Sequence, residues 1–184
     1  MTKNSRTFWV TLTFVVGLLS FAVWRGKSHY NALVVQQNQV SAQWQQVANH
    51  YQRYLQIVTN INYWLQNHPA YASEFSLTTD IEAFKQIDLG QNETKNMQLI
   101  LEKQEKIEEQ IRKISRFFPK EVGEDISLKN LLVEWEGIKN RISVEANRKY
   151  NPVVAAYQAE LARFPNSLYV PFLPIKSFAM YGQK

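Results

Sequence analysis

Residues 30–65 read YNALVVQQNQVSAQWQQVANHYQRYLQIVTNINYWL, and their apolar and aromatic positions recur every seven residues. Tyr30, Trp44, Tyr51, Val58 and Leu65 fall on one line, with Gln37 as its polar member; Leu33, Val40, Val47, Tyr54 and Ile61 fall on the neighbouring line. A strand would bring every second residue to one face, whereas this spacing puts both lines on one side of a helix. Sustained over about five heptads, such a seam predicts a long helix packed at a shallow angle against partner helices. Pro69 ends the pattern. Arg53 is the sole formal charge between Lys27 and Glu74, so the outward side carries Gln, Asn, Ser and Ala. That side reads either as a solvated amide-rich face or as a contact for another protein or subunit, with Gln39, Gln43 and Gln46 as the candidate partner face.

Upstream, residues 7–24 read TFWVTLTFVVGLLSFAVW, eighteen positions without a formal charge. At about 1.5 Å of rise per residue this covers about 27 Å, close to a hydrocarbon core of about 30 Å. Lys3 and Arg6 precede the stretch and Arg25 and Lys27 follow it, while Phe8, Trp9 and Trp24 set rings near both ends, where membrane interfaces favour them. The chain therefore divides into a short basic tail at 1–6, a transmembrane helix at 7–25 and a helical domain at 26–184. Arg6, Trp9, Trp24, Arg25 and Lys27 are the expected membrane-interface residues. Two other readings stay open. Ser20-Phe21-Ala22 offers the small residues of a signal-peptidase site behind a basic leader, which would release a periplasmic or secreted adaptor. A helix of a globular core is the other, although no polar stripe runs through the segment. The flanking basic residues number two on each side; the orientation expected is a short cytoplasmic N-terminus with the domain on the non-cytoplasmic side.

Downstream, Thr79 or Asp80 is expected to cap a short helix carrying Ile81, Phe84 and Ile87 that stops at Gly90. Met97, Ile100, Ile107, Ile111, Ile114 and Phe118 mark a second long helix closed by Pro119. Its other face holds the i, i+4 pairs Glu102 with Lys106, Glu108 with Arg112 and Glu109 with Lys113, so its carboxylates read as a solvated face. Ser127 is expected to cap a third pattern through Leu128, Leu131, Leu132, Trp135, Ile138, Ile142, Ala146, Tyr150, Val153, Tyr157, Leu161 and Phe164, kinked or bent at Pro152. The C-terminal tail, with Pro171, Phe172, Pro174, Phe178 and Tyr181, is too apolar for a free linker and is expected to pack on the bundle or touch the membrane surface. The fold class is all-α: one N-terminal transmembrane helix followed by an antiparallel, four-helix-type up-and-down bundle.

The formal net charge is +5, yet residues 1–27 hold four basic residues and no acidic one, leaving 17 basic and 16 acidic residues in the remainder. So balanced a domain lacks the footprint of a phosphate-backbone binder, and the basic flanks suit lipid headgroups instead. The chain has no cysteine, which excludes disulfides, thiolate zinc sites, thiol nucleophiles and attachment through a lipobox cysteine.

Several short runs together resemble the LemA family of bacterial membrane proteins. Tyr30-Asn31-Ala32-Leu33-Val34 is similar to that family's Y-N-x-L-V start, and Trp44-Gln45-Gln46-Val47 to its W-x-x-V stretch. Asn140-Arg141-Ile142, then Tyr150-Asn151 with Val154 and Tyr157, then Phe164-Pro165 with Leu168 follow the order and spacing of its C-terminal elements. Phe117-Phe118-Pro119 is similar to its aromatic-Pro element between helices. Where the family usually has two basic residues and an I-P-N-L-V run, this chain has Gln52-Arg53-Tyr54 and Ile57-Val58-Thr59-Asn60-Ile61, and Lys139 stands where the family usually has Glu. The resemblance implies a single-pass protein of the bacterial inner membrane with an antiparallel bundle, and it implies no enzymatic mechanism.

Catalytic patterns are sparse. His29, His50 and His68 lie 21 and 18 residues apart and form no H-x-x-x-H or E-x-x-H pair of the kind bundle metal sites use. No G-x-S-x-G, Walker loop or G-x-G-x-x-G occurs. A ligand set gathered from distant residues, and hence an enzyme with an unrecognised bundle site, stays open. The function expected is a membrane-anchored scaffold or protein-binding module, with the lipid bilayer and a protein or a second copy as partners. No catalytic residue, cofactor, metal, nucleic acid or small-molecule substrate is assigned. Asn140, Arg141, Tyr30-Asn31 and Tyr150-Asn151 are expected to bridge helices, Arg141 by pairing with Glu134 or Glu145.

Overall fold

A computed structural model of the chain describes residues 3–68, 72, 75–91, 94–117, 125–163 and 165–182, without the side chains of residues 3–8, 10, 19, 22, 23, 94, 117 and 169. Among the described residues there is no strand. The helices are α1 (Lys3–Gln66), α2 (Thr78–Lys85), α3 (Thr94–Phe117), α4 (Ile126–Glu145), a π-helical stretch (Ala146–Tyr150), α5 (Asn151–Ala162), α6 (Asn166–Tyr169) and a 3-10 turn (Val170–Phe172). Two compact units form, Met1–Asn38 with Ala156–Lys176 and Gln39–Ala155 with Ser177–Lys184.

The heptad seam is the core of the larger unit. Val40, Trp44, Val47, Tyr51, Tyr54, Val58, Ile61 and Leu65 are all at most 1% exposed. Ile81 and Phe84 of α2, Met97, Ile100, Ile107, Ile111 and Ile114 of α3, and Leu128, Trp135, Ile138 and Ile142 of α4 are buried with them. The Phe84 ring stands 5.8 Å from Tyr51 and 6.2 Å from Tyr54, and Trp44 stands 5.2 Å from Tyr150. The order of contacts gives the direction of the helices. Arg53 meets Glu134 and Trp64 meets Asp125, so α4 runs against α1. Tyr54 meets Phe84 and Asn62 meets Thr78, so α2 does the same. The seam aromatics Trp44, Tyr51 and Tyr54 are thus interior, whereas Tyr30 is half-buried.

Helix starts depart from the sequence reading because their caps come from other places. The residue before α2 is Leu77, and neither Thr79 nor Asp80 caps it; the Leu77 N–H donates instead to Oδ1 of buried Asn62 at 3.0 Å. The helix ends at Lys85, and Gly90 belongs to the next turn, where its N–H donates to Asp88 at 2.9 Å. Asp125, two residues before Ser127, caps α4. Its carboxylate accepts the Leu128 N–H at 2.9 Å and the Trp64 indole N–H at 3.0 Å, and these bonds, Leu128 first, hold it below the usual carboxylate range.

The distortion expected at Pro152 lies just before it. Proline has no N–H to give the carbonyl four residues earlier, and the helix widens over Ala146–Tyr150, with the Asn151 N–H reaching back five residues to the Ala146 carbonyl. One extra residue per turn shifts the following phase. Val154 rather than Val153 therefore joins Tyr150 and Tyr157 in the interior. Pro69, Phe118, Pro119 and Phe164 lie outside the described residues.

In the smaller unit Leu33, Tyr157 and Asn166 are buried. The Tyr157 hydroxyl donates to the Lys176 carbonyl at 2.9 Å, and the Lys176 N–H donates to Oε1 of Gln37 at 3.3 Å, which accounts for the polar member of the seam. Asn166 donates to the carbonyl and carboxylate of Glu160. The start of α1 is different: Trp9, Leu12, Phe14, Val15, Val16, Leu18, Phe21 and Trp24 are all exposed. Among the described residues no helix is long and apolar enough to cross a membrane, so the described part of α1 does not itself amount to the spanning helix read over 7–25. Thr7, Phe8, Val10, Leu19, Ala22 and Val23, and the interface residue Arg6, have side chains outside the described residues.

Replacing Asp125 by Ala should destabilise the chain by about 1 kcal/mol in denaturant titration, the usual loss for an N-cap, whereas Ser127→Ala should cost far less. A reversed order would place the cap at Ser127 after all.

Candidate functional site

A polar cluster ties the C-terminal segment to the larger unit. The Tyr150 hydroxyl donates to the Ala179 carbonyl at 2.7 Å. The Asn151 amide works in both directions: Nδ2 donates to the Tyr181 carbonyl at 3.1 Å, and Oδ1 accepts the Tyr181 N–H at 2.7 Å. This pairing copies what a neighbouring strand would offer an extended peptide. Phe178 is buried beside these contacts in sequence. The Tyr150-Asn151 dipeptide is therefore a clamp for the tail, and the segment 177–182, which ends in a turn at 181–182, packs on the bundle, one of the two outcomes expected for it.

From Tyr181 the network continues inward. Its hydroxyl lies 3.5 Å from that of Tyr51, which donates to Gln104 Oε1 at 2.7 Å. Gln104 Nε2 donates to Glu108 Oε1 at 2.7 Å, and Glu108 Oε2 faces Lys139 at 3.5 Å. Lys139 also pairs with Glu136 at 3.1 Å and sits 4.1 Å over the Trp135 ring. Glu108 thus turns to Lys139 on another helix rather than to Arg112, while Glu102 with Lys106 and Glu109 with Lys113 pair along α3 as their spacing indicates. Burial pushes the Tyr51 hydroxyl well above the ordinary phenol range, with Tyr181 adding to it. Burial raises Tyr54 strongly as well; the Trp135 indole acts in the opposite direction without reaching hydrogen-bond geometry, and among the described residues Tyr54 Oη and Trp135 Nε1 have no hydrogen-bond partner. Burial also raises Tyr181. Phenols held neutral so firmly donate hydrogen bonds and do not serve as bases near neutral pH.

Asn140 and Arg141 are exposed, contrary to the helix-bridging role expected, and of the run Asn140-Arg141-Ile142 only Ile142 is buried. They line open grooves between α1 and α4. One, of about 270 Å³, is edged by Arg53, Val133, Glu134, Gly137 and Arg141; the other, of about 350 Å³, by His50, Asn140, Arg141, Val144 and Glu145. The carboxylates proposed for Arg141 are engaged elsewhere, Glu134 with Arg53 and Glu145 with Lys149. Of the other motif residues, Leu33 is buried, Tyr30, Val34 and Pro165 are half-buried and Asn31 is exposed; Gln39 and Gln46 are exposed and Gln43 half-buried. Among the described residues no group of three His, Asp or Glu side chains could hold a metal ion.

Comparison with protein-family models, with curated proteins and with solved structures returned no match. The resemblance to the LemA family is accordingly carried by the quoted residues alone. Sequence reasoning missed Asn62, Gln104 and Tyr181 as network members. Asn62 had a detectable signal, an amide immediately beside the core position Ile61; Gln104 sits in a polar helix face with nothing to distinguish it.

Two measurements check this cluster. The phenols are easier to ionise in the unfolded chain, so their contribution is complete below the ordinary value of 10.0 and is lost as pH rises above it. Thermal melts from about pH 8 to about pH 11 should show this alkaline loss, with a shallower slope in Tyr51→Phe; parallel slopes would mean that Tyr51 is not buried. Asn151→Ala removes both bonds to Tyr181 and should raise hydrogen exchange of the Tyr181 amide by about tenfold.

Proposed function

We propose that this chain is a membrane-anchored helical scaffold of the bacterial inner membrane, similar to the LemA family, whose α1 begins as a single-pass anchor and continues into a four-helix-type up-and-down bundle that binds another protein or a second copy. The observation that supports the reading is the bare apolar start of α1. Residues 11–18 are all exposed, and eight consecutive helical positions cover every side of the helix. Water is a poor medium for such a surface, since burying one Val, Leu or Phe side chain is worth about 1.5–3 kcal/mol. Hydrocarbon is a good one, and the Thr13 hydroxyl is already satisfied within the helix by the Trp9 carbonyl at 2.9 Å, as an apolar solvent requires. With the six undescribed side chains taken from the sequence, the uncharged run reaches eighteen residues, the length of a minimal span.

Among the described residues the network of the bundle is built of phenols, amides and paired charges, and it is assigned a structural role. Binding is assigned to the amide face at Gln39, Gln43 and Gln46, of which Gln43 is half-buried and the other two exposed. The full-length chain should remain with membranes through alkaline carbonate extraction, and Leu18→Arg, which costs about 3 kcal/mol at a span's centre, should release a measurable fraction. Complete release of the unaltered chain, or an intact mass lacking residues 1–22, is incompatible with an anchor. Photo-crosslinkers at Gln39, Gln43 and Gln46 in membranes should trap one protein neighbour, and no adduct at any of them would leave the face merely solvated.

A further inference from the structure

The two units differ sharply in charge. The smaller, Met1–Asn38 with Ala156–Lys176, carries six basic residues, Lys3, Arg6, Arg25, Lys27, Arg163 and Lys176, and one acidic residue, Glu160. Its +5 equals the formal charge of the entire chain, so the larger unit is neutral. That positive charge is shared by both chain segments of the unit, and the second segment also carries an exposed apolar tip. Phe172 is 86% exposed and Leu168 56% exposed. Both sit in the short α6 and 3-10 elements, between Arg163 and Lys176, in a stretch without any acidic residue.

Within this unit the cover on α1 runs out towards its N-terminus. Leu33 is buried, His29 and Tyr30 are half-buried, and Trp24 is 64% exposed. Residues 156–176 are the unit's second chain segment, and within it Lys176 is fixed to Gln37. The exposed tip therefore belongs to the segment beside which the apolar helix emerges.

We propose that residues 166–172 form a second bilayer contact, in which Leu168 and Phe172 enter the headgroup layer while Arg163 and Lys176, with Arg25 and Lys27 of α1, attract anionic lipid. The inference rests on the anchor reading, and its occupant is the lipid surface from which that anchor emerges. Large apolar side chains beside basic ones are what an interfacial element presents to an anionic membrane. The tip's exposure then has a physical reason: the side chains are uncovered in the isolated chain and covered at the bilayer.

The chain has no cysteine of its own, so single cysteines at Leu18, Phe172 and Asn130 of the full-length protein can each carry an environment-sensitive fluorophore. The proteins are placed in phosphatidylcholine vesicles with and without phosphatidylglycerol, together with shallow or deep lipid-borne quenchers. The label at 172 should be quenched by the shallow quencher, more so with phosphatidylglycerol, and the label at 130 by neither. Arg163→Gln or Lys176→Gln should each lower the engaged-to-free ratio at 172 by about fivefold in the anionic vesicles, and added salt should act in the same direction. A label at 172 that stays in water while the one at 18 is quenched by the deep probe overturns the second contact and leaves the anchor standing. A label at 18 that stays in water overturns the anchor, and the second contact with it. Equal quenching at 172 and 130, or indifference to both substitutions, overturns the local basic contact.

Discussion

Burying a tyrosine or tryptophan obliges a helical core to bring an acceptor in with it, since an unsatisfied buried donor costs about 1–3 kcal/mol. The seam of α1 places Trp44, Tyr51 and Tyr54 at near-zero exposure, and much of the fold is arranged around that obligation. The Trp44 indole is met by the Leu89 carbonyl at 2.7 Å, which fixes the turn after α2. Tyr51 is met by Gln104, and through it by Glu108 and Lys139, which ties α1, α3 and α4 into one polar line. Tyr54 and Trp135 are buried with their Oη and Nε1 unbonded among the described residues. Ring packing of Tyr54 against Phe84 and Tyr51, and Lys139 over the Trp135 ring, compensate in part for these two omissions.

Periodicity made the long helices legible. Every seam position from Leu33 to Leu65 that was assigned to the interior is buried, because a heptad repeat constrains many residues at once. Helix starts were less legible. The N-cap at Asp125 and the Asn62 bond to Leu77 depend on which residues the turns bring near, and a Ser or Thr in the expected place is an equally good local signal. The phase error at Val153 has a single cause: a π-helical stretch inserts one residue, and nothing but Pro152 announces it. Asn140 and Arg141 are exposed because they fall two residues and one residue before the core position Ile142, and each step of about 100° along a helix turns a side chain away from the face that position buries.

Electrostatics divides the molecule where packing does. A net charge of +5 averaged over 184 residues suggests little. In the smaller unit the same charge is confined together with a bare apolar helix and an exposed phenylalanine, the combination on which the proposed lipid contact rests. The larger unit, by contrast, balances its charges and pairs many of them along α3 and α4. The amide face proposed for binding is uncharged, so salt should matter more to the proposed lipid contact than to the proposed protein contact.

The side chains that organise the C-terminal segment reach mostly for its backbone. Tyr150 takes the Ala179 carbonyl, Asn151 both backbone groups of Tyr181, and Tyr157 the Lys176 carbonyl. A clamp that grips main chain does not read the side chains it holds. Evolution is then free to rewrite most of this tail so long as the clamping residues and the buried Phe178 persist, and homologous tails could diverge beyond recognition while following the same path.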